Sequence, residues 1–182
     1  YPILIDEEGG KVSRLNKFID KSLFSSKFFA DLYLKDRKKF NIFYNAYVKQ
    51  ICYLLNLLGI NINTVPVLDI KRKITSNIIG SRSFSSKPSL VSKLGQICIS
   101  KFHKNHIVTV IKHIPGHGLA KKDSHHYTPV ISKKLSYLMK NDFVPFKNKK
   151  TFFAMTAHLV FDKIDNKNTV THSKKLINLI RN

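Results

Sequence analysis

The chain has 182 residues, 43% hydrophobic and 11% aromatic, and its 32 Lys and Arg against 11 Asp and Glu give a formal net charge of +21. This composition excludes a disordered polar tail and supplies enough apolar material for one substantial core. No run reaches the roughly 18 apolar residues of a membrane span, and no basic-then-apolar leader with a small-residue cleavage site is present, so a single soluble domain without a membrane partner is expected.

The first element is a buried strand at residues 2–5, PILI, ending at Asp6 and followed by a glycine-containing loop over 7–15. Because YPILID enters this strand at full stride from Tyr1, further sequence upstream is expected. From 26 to 58 apolar residues recur at helical spacing (Phe28, Leu32 and Leu34, then Phe40, Phe43, Tyr47, Ile51, Leu54, Leu55 and Leu58), which fits one long helix or two in succession, closed by Gly59. A second strand spans 63–68 and ends at Asp69. The loop carrying IIGSRSF leads into a helix over 89–105 with Leu90, Leu94, Ile97, Ile99 and Phe102 facing inward. A third strand at 107–111 runs straight into KHIPGHG. After a long loop, a short helix at 133–141 precedes a fourth strand at 151–156, and Ser173 is placed to cap a final helix.

Alternating strands and helices imply a parallel sheet with crossover helices, either an open doubly wound sheet or a (β/α)8 barrel. Asp6, Asp69, Lys112, His113 and His158 all fall at or just after the carboxyl ends of strands, where barrel enzymes place their chemistry. The expected fold is therefore α/β, a partial (β/α)8 TIM barrel of about four consecutive strand-helix units, treated as one domain over residues 1–182. A whole barrel takes about 250 residues.

Charge and cysteines set the expected surroundings. Lys and Arg neutralise phosphates with release of counterions, but here they are spread through DRKKF, SKKLSYLMK and FKNKKTF rather than clustered with arginine, glycine and aromatics. They fit solvated helix faces, so no specific nucleic-acid partner is expected. Cys52 and Cys98 lie within apolar helical patterns and fit buried thiols in a reducing compartment, hence a cytoplasmic location.

The histidines of KHIPGHGLAKKDSHHY are candidates for metal or proton chemistry. His113 and His117 have helical ligand spacing, but Pro115 and Gly116 between them disfavour a helix, and no metal or cofactor is expected. PGHG also lacks the spaced glycines and Lys-Ser/Thr ending of a phosphate loop. In Asp123-Ser124-His125 an extended backbone puts carboxylate and imidazole on one side, where the acid can hold the ring's tautomer and raise its basicity. A surface Asp and His in a polar loop would show the same local pattern.

Five segments in order resemble the β-N-acetylglucosaminidase branch of glycoside hydrolase family 3: IDEEGGKVSRL, VPVLDI, IIGSRSF, KHIPGHG followed by DSH, and MTAHLVF. The resemblance implies a (β/α)8 barrel acting on terminal, non-reducing β-linked N-acetylglucosamine, commonly in recycled peptidoglycan fragments. It implies His125 as general acid/base, Asp123 as its orienting partner, and Asp6, Arg14, Arg82, Lys112 and His113 as sugar-binding residues. His117 and His158 match family positions and are expected to make supporting hydrogen bonds; His126 is expected to be a bystander, and Glu7 and Glu8 fit loop solvation as well as a contact.

The family's nucleophile is an aspartate in a segment resembling VxFSDDL, and nothing like it occurs within residues 1–182. The reading is thus a contiguous half barrel, a fragment whose other half is a candidate partner, with open sheet edges and exposed apolar surface. Two other readings stay open: a sugar-binding protein without turnover, and a lysine-rich nucleic-acid binder.

Overall fold

A computed structural model describes residues 1–72, 79–121 and 126–181. The elements run β1 (Leu4–Ile5), α1 (Ser26–Lys35), α2 (Arg37–Leu57), β2 (Ile62–Asn63), α3 (Pro88–Lys104), β3 (Val108–Ile114), β4 (Val130–Ile131), α4 (Leu135–Lys140), β5 (Phe153–Thr156), β6 (Val160–Phe161) and α5 (Lys174–Arg181). A four-stranded sheet has the order β1-β2-β3-β5 with every pairing parallel, so neighbouring strands are joined by crossovers containing helices. This is the arc of an α/β barrel that the strand-helix alternation predicts.

Local chemistry accounts for the boundaries. The helical stretch from Ser26 divides at Asp36, whose extended backbone closes α1 by donating its N–H to the Leu32 carbonyl. Its carboxylate accepts from the Lys39 N–H at 3.0 Å and so caps α2, deciding for two helices. Pro88 opens α3, where a missing N–H costs nothing, and Lys101, His103 and Lys104 sit in the last turn against the negative end of the helix dipole. Ser173 caps α5 as expected, its Oγ accepting from the Leu176 N–H at 3.2 Å.

β2 is shorter than the strand expected at 63–68, because Pro66 has no N–H to give to a ladder. Pairing resumes as single contacts: Lys112 donates its N–H to the Pro66 carbonyl, and Leu68 donates to the Lys112 carbonyl at 2.7 Å. β3 continues to Ile114, past the expected end, with a register shift between Lys112 and Ile114. A second parallel pair, β4 with β6, was not expected from sequence.

The larger core lies between the helices and the sheet. On α2 the buried stripe is Phe40, Tyr44, Val48, Ile51, Cys52 and Leu55, whereas Phe43 and Leu58, which belong to the helical recurrence in the sequence, are exposed at 57% and 51%. On α3 the buried residues include Val91, Leu94, Cys98, Ile99 and Phe102, with Leu90 and Ile97 packed partly buried against them. A smaller core gathers Leu138, Phe143, Phe161 and Leu176 under β4 and β6. Among the described residues β1 and β5 are the outer strands of the larger sheet, and Leu4, Phe153 and Met155 on them are exposed. No helix among the described residues is long and apolar enough to cross a membrane.

Candidate active site

The carboxyl ends of three adjacent parallel strands deliver the polar groups. Asp6 follows β1 directly, Thr64 and Asp69 follow β2, and Lys112 and His113 lie near the end of β3. Strand pairing puts these positions side by side, so residues over a hundred apart in sequence touch.

Lys112 is the hub. Its side chain is 2% exposed, yet its ammonium contacts the Asp6 and Glu8 carboxylates, each at 2.5 Å, and donates to the Thr64 hydroxyl at 3.0 Å. Thr64 Oγ1 donates in turn to Asp6 Oδ1 at 2.5 Å. Arg82, in the 3-10 turn Gly80–Arg82, forks onto Glu8: Nε donates to Oε2 and Nη2 to Oε1, both at 2.8 Å. A buried charge is tolerated where it is paired and hydrogen-bonded, and here two carboxylates and two cations satisfy one another. Burial pushes the Asp6 carboxyl up, but hydrogen bonds from Lys112 and Thr64 and the charges of Lys112 and Arg82 outweigh it and hold it below its ordinary range. Burial would likewise weaken the charged form of Arg82, and is outweighed by Glu8, Asp69 and Asp6. Asp6 is 35% exposed at its side chain, and Arg14, 60% exposed, reaches within 3.8 Å of it. Asp6 and Arg14 are therefore the members of this group most open to a ligand.

A second network adjoins the first. Asp69 is wholly buried and its Oδ2 lies 2.6 Å from His113 Nδ1. It also accepts from the backbone N–H of His117 at 2.6 Å. Burial raises the Asp69 carboxyl, but the charge and hydrogen bond of His113 and then His117 prevail and lower it. With Nδ1 held by the acid, the His113 ring is fixed in orientation, and its side chain is 18% exposed.

The structure therefore brings Asp6, Arg82 and Lys112 together, with Arg14 and His113 at the rim. Asp123 and His125, the expected proton-transfer pair, lie outside the described residues. The ring nitrogens of His117 have no hydrogen-bond partner among the described residues, so its support comes through its backbone instead. Burial pushes its imidazole down and favours the neutral form. His158 and His126 are exposed. Glu7 and Glu8, which fitted loop solvation equally well, are buried and paired. Thr64 and Asp69 belong to the constellation too, and a pointer to Asp69 existed in its place after an apolar strand beside the Lys112-His113 strand. No group of three or more His, Cys, Asp or Glu among the described residues could hold a metal ion.

Residues 2–182 match the family model for the glycosyl hydrolase family 3 N terminal domain. The chain is 32% identical over 172 residues to beta-hexosaminidase A of Pseudoalteromonas piscicida, covering 92% of this chain and 28% of that protein. It is 29% identical over 189 residues to beta-hexosaminidase LpqI of Mycobacterium tuberculosis, covering 98% and 45%. Among solved structures, NagZ from Neisseria gonorrhoeae in complex with N-trifluoroacetyl-D-glucosamine superposes with a TM-score of 0.81 at 27% identity, covering 91% of this chain and 50% of that one. A family 3 beta-N-acetylglucosaminidase from Paenibacillus sp. str. FPU-7 gives 0.83 at 30% identity, covering 99% and 34%. This chain thus spans about half or less of the length of these relatives. Parallel strands carrying acid, lysine and histidine at their carboxyl ends, and a family match across nearly every residue, show that the chain belongs to glycosyl hydrolase family 3.

Proposed function

We propose that residues 1–182 supply the sugar-binding face and the proton-transfer loop of a β-N-acetylhexosaminidase acting on terminal, non-reducing β-linked N-acetylglucosamine. The observation that carries this reading is the convergence of Asp6, Arg14, Lys112 and Arg82 at the ends of adjacent strands. A carboxylate held ionised can accept hydrogen bonds from two sugar hydroxyls, while guanidinium and ammonium donors suit hydroxyl and acetamido oxygens. Support for the sugar class comes from the hexosaminidase names of the relatives and from the glucosamine derivative bound to the gonococcal structure.

In this reading His125, oriented by Asp123, gives a proton to the departing glycosidic oxygen, and later takes one from the water that releases the sugar. Retention of configuration needs a nucleophile on the opposite face of the ring. No segment of these 182 residues resembles VxFSDDL, so their proposed part is binding and proton transfer. Substrates from peptidoglycan fragments and a cytoplasmic setting complete the proposal.

The test is a titration of the chain with N-acetylglucosamine at two ionic strengths. Binding that changes little with salt and is weakened at least about tenfold by Asp6→Ala supports a hydrogen-bonded sugar site. Affinity for single-stranded nucleic acid that collapses with salt, with no sugar binding, would favour the lysine-rich binder instead. Turnover of an aryl N-acetyl-β-glucosaminide by the chain alone, abolished by His125→Ala, would extend its part to the whole reaction.

A further inference from the structure

The loop that carries Arg14 is fastened from beneath by an ion pair. Glu7 and Lys21 are each 1% exposed, and Lys21 Nζ lies 3.1 Å from Glu7 Oε1 in an ionic contact that is not an aligned hydrogen bond. The other oxygen of Glu7 gathers the loop: Oε2 accepts from the Arg14 N–H at 2.7 Å, the Leu15 N–H at 3.0 Å and the Ser13 hydroxyl at 3.1 Å. The Glu7 backbone is itself clamped to β2, its N–H donating to Asn63 Oδ1 at 3.0 Å and its carbonyl accepting from Asn63 Nδ2 at 2.8 Å. At the far end, the Lys21 carbonyl accepts from the N–H groups of Gly10 and Phe24. One carboxylate thus ties the Arg14 backbone to the sheet, and one ammonium balances that carboxylate while tying the loop's two ends together.

We infer that Glu7 and Lys21 are positioning residues that hold Arg14 over the sugar site, acting on the ligand through Arg14 without touching it. The inference rests on the proposed sugar site. An arginine 60% exposed and 3.8 Å from Asp6 has little around its own side chain to fix it, so its aim depends on where its backbone is held. The acid is needed in its charged form. In Glu7→Gln the side-chain amide oxygen can face the Arg14 and Leu15 N–H groups or the Lys21 ammonium, and in either orientation its NH2 group meets another donor.

The experiment uses the 182-residue chain with Glu7→Gln, Arg14→Ala and both together, titrated with N-acetylglucosamine, alongside hydrogen exchange at single amides. The expected result is weakening by about tenfold for Glu7→Gln and less than about twofold further when Arg14 is already alanine. Exchange at the Arg14 and Leu15 amides rises at least about tenfold in Glu7→Gln, while the Val110 and Ile111 amides in β3 are unchanged. Should the amide variant fail to fold, Glu7→Asp keeps the charge beside Lys21 while withdrawing the oxygen by one methylene, and reports the same quantities. Lys21→Arg, which keeps the cation, restores most of the affinity that Lys21→Met loses. Unchanged exchange at residues 14 and 15, or equal weakening with and without Arg14, overturns the positioning role alone. No sugar binding by the parent chain, with exchange altered as expected, overturns the sugar-site reading and Arg14's part in it.

Discussion

Lys112 Nζ and Glu8 Oε1 meet at 2.5 Å with 2% and 3% of their side chains exposed, inside a cluster where Asp6 and Thr64 also face the ammonium and Arg82 also pairs with the carboxylate. Two charges taken out of solvent regain little by attraction alone, but removing the ammonium leaves the Glu8 and Asp6 carboxylates with one buried cation fewer between them, a loss of up to about 3–5 kcal/mol. Lys112→Met keeps the length and apolar stem of the side chain while deleting its charge. Urea unfolding is expected to show a loss in that range, with the slope against urea unchanged because no additional surface is exposed. A loss below about 1 kcal/mol would mean that Arg82 alone neutralises both Glu8 and Asp6.

Acid titration separates the second network. The Asp69 carboxyl is lowered from 3.8 in the native chain, chiefly because the charge and hydrogen bond of His113 outweigh burial. Its stabilisation is fully present above the unfolded value and is lost as pH falls through the native one, since the unfolded state takes up the proton first. Asp6 is shifted in the same direction and contributes in the same window. Asp69→Asn is expected to be less stable near neutral pH by about 1–3 kcal/mol, having one oxygen for the His113 and His117 donors. Below pH about 4 its stability should fall less steeply than that of the parent. Parallel pH profiles for the two chains would show that Asp69 does not titrate as described.

Much of this arrangement could be read from sequence, because each strand is an apolar run and the residue closing it is polar: Asp6 after PILI, Asp69 after VPVL, Lys112 and His113 after IVTVI. Period and position are local properties. What Glu7 and Glu8 do is not local, since their partners Lys21, Arg82 and Lys112 come from separate loops and another strand. A glutamate beside two glycines has the same sequence signature whether it is solvated or buried. The inward face of α2 was blurred for a different reason: a chain this rich in Phe, Ile and Leu places Phe43 and Leu58 on the surface as well, so the stripe through Phe40, Tyr44, Val48 and Leu55 emerges only once the neighbouring helices are in place. Strands as short as β4 and β6, two residues each, lie below any detectable period.

Two glycines with left-handed backbones make a paired test of loop packing. Gly59 closes α2 at φ +71°, and a Cβ there would meet nothing within 4 Å. Gly59→Ala should therefore cost only the backbone penalty, about 1–2 kcal/mol. Gly9, at φ +80°, would drive a Cβ to within 2.3 Å of the Tyr47 hydroxyl oxygen and 2.6 Å of the Phe24 carbonyl oxygen. Gly9→Ala adds overpacking of about 1–3 kcal/mol to the same penalty, and the strain falls in the loop that carries Arg14. Thermal unfolding should rank Gly9→Ala clearly below Gly59→Ala, and sugar affinity should fall for Gly9→Ala alone.

The two thiols offer a probe of the larger core that needs no ligand. Cys52 and Cys98 are 1% and 3% exposed on facing sides of α2 and α3, and burial pushes each thiol up to about 12. At Cys98 a hydrogen bond with Tyr44 pulls the other way without prevailing. Since the thiolate is the reactive form, at pH 8 neither should react with a disulfide reagent while the chain is folded, though both become ordinary thiols on unfolding. In a urea series the fraction labelled should follow the loss of helical circular dichroism with the same midpoint. Tyr44→Phe removes the hydrogen bond that lowers Cys98, so its native thiol should stay silent as well. Labelling of either cysteine well before the helices unfold would show that α2 and α3 separate from the sheet as an independent unit, and that the core joining them to the strand ends is weaker than its packing implies.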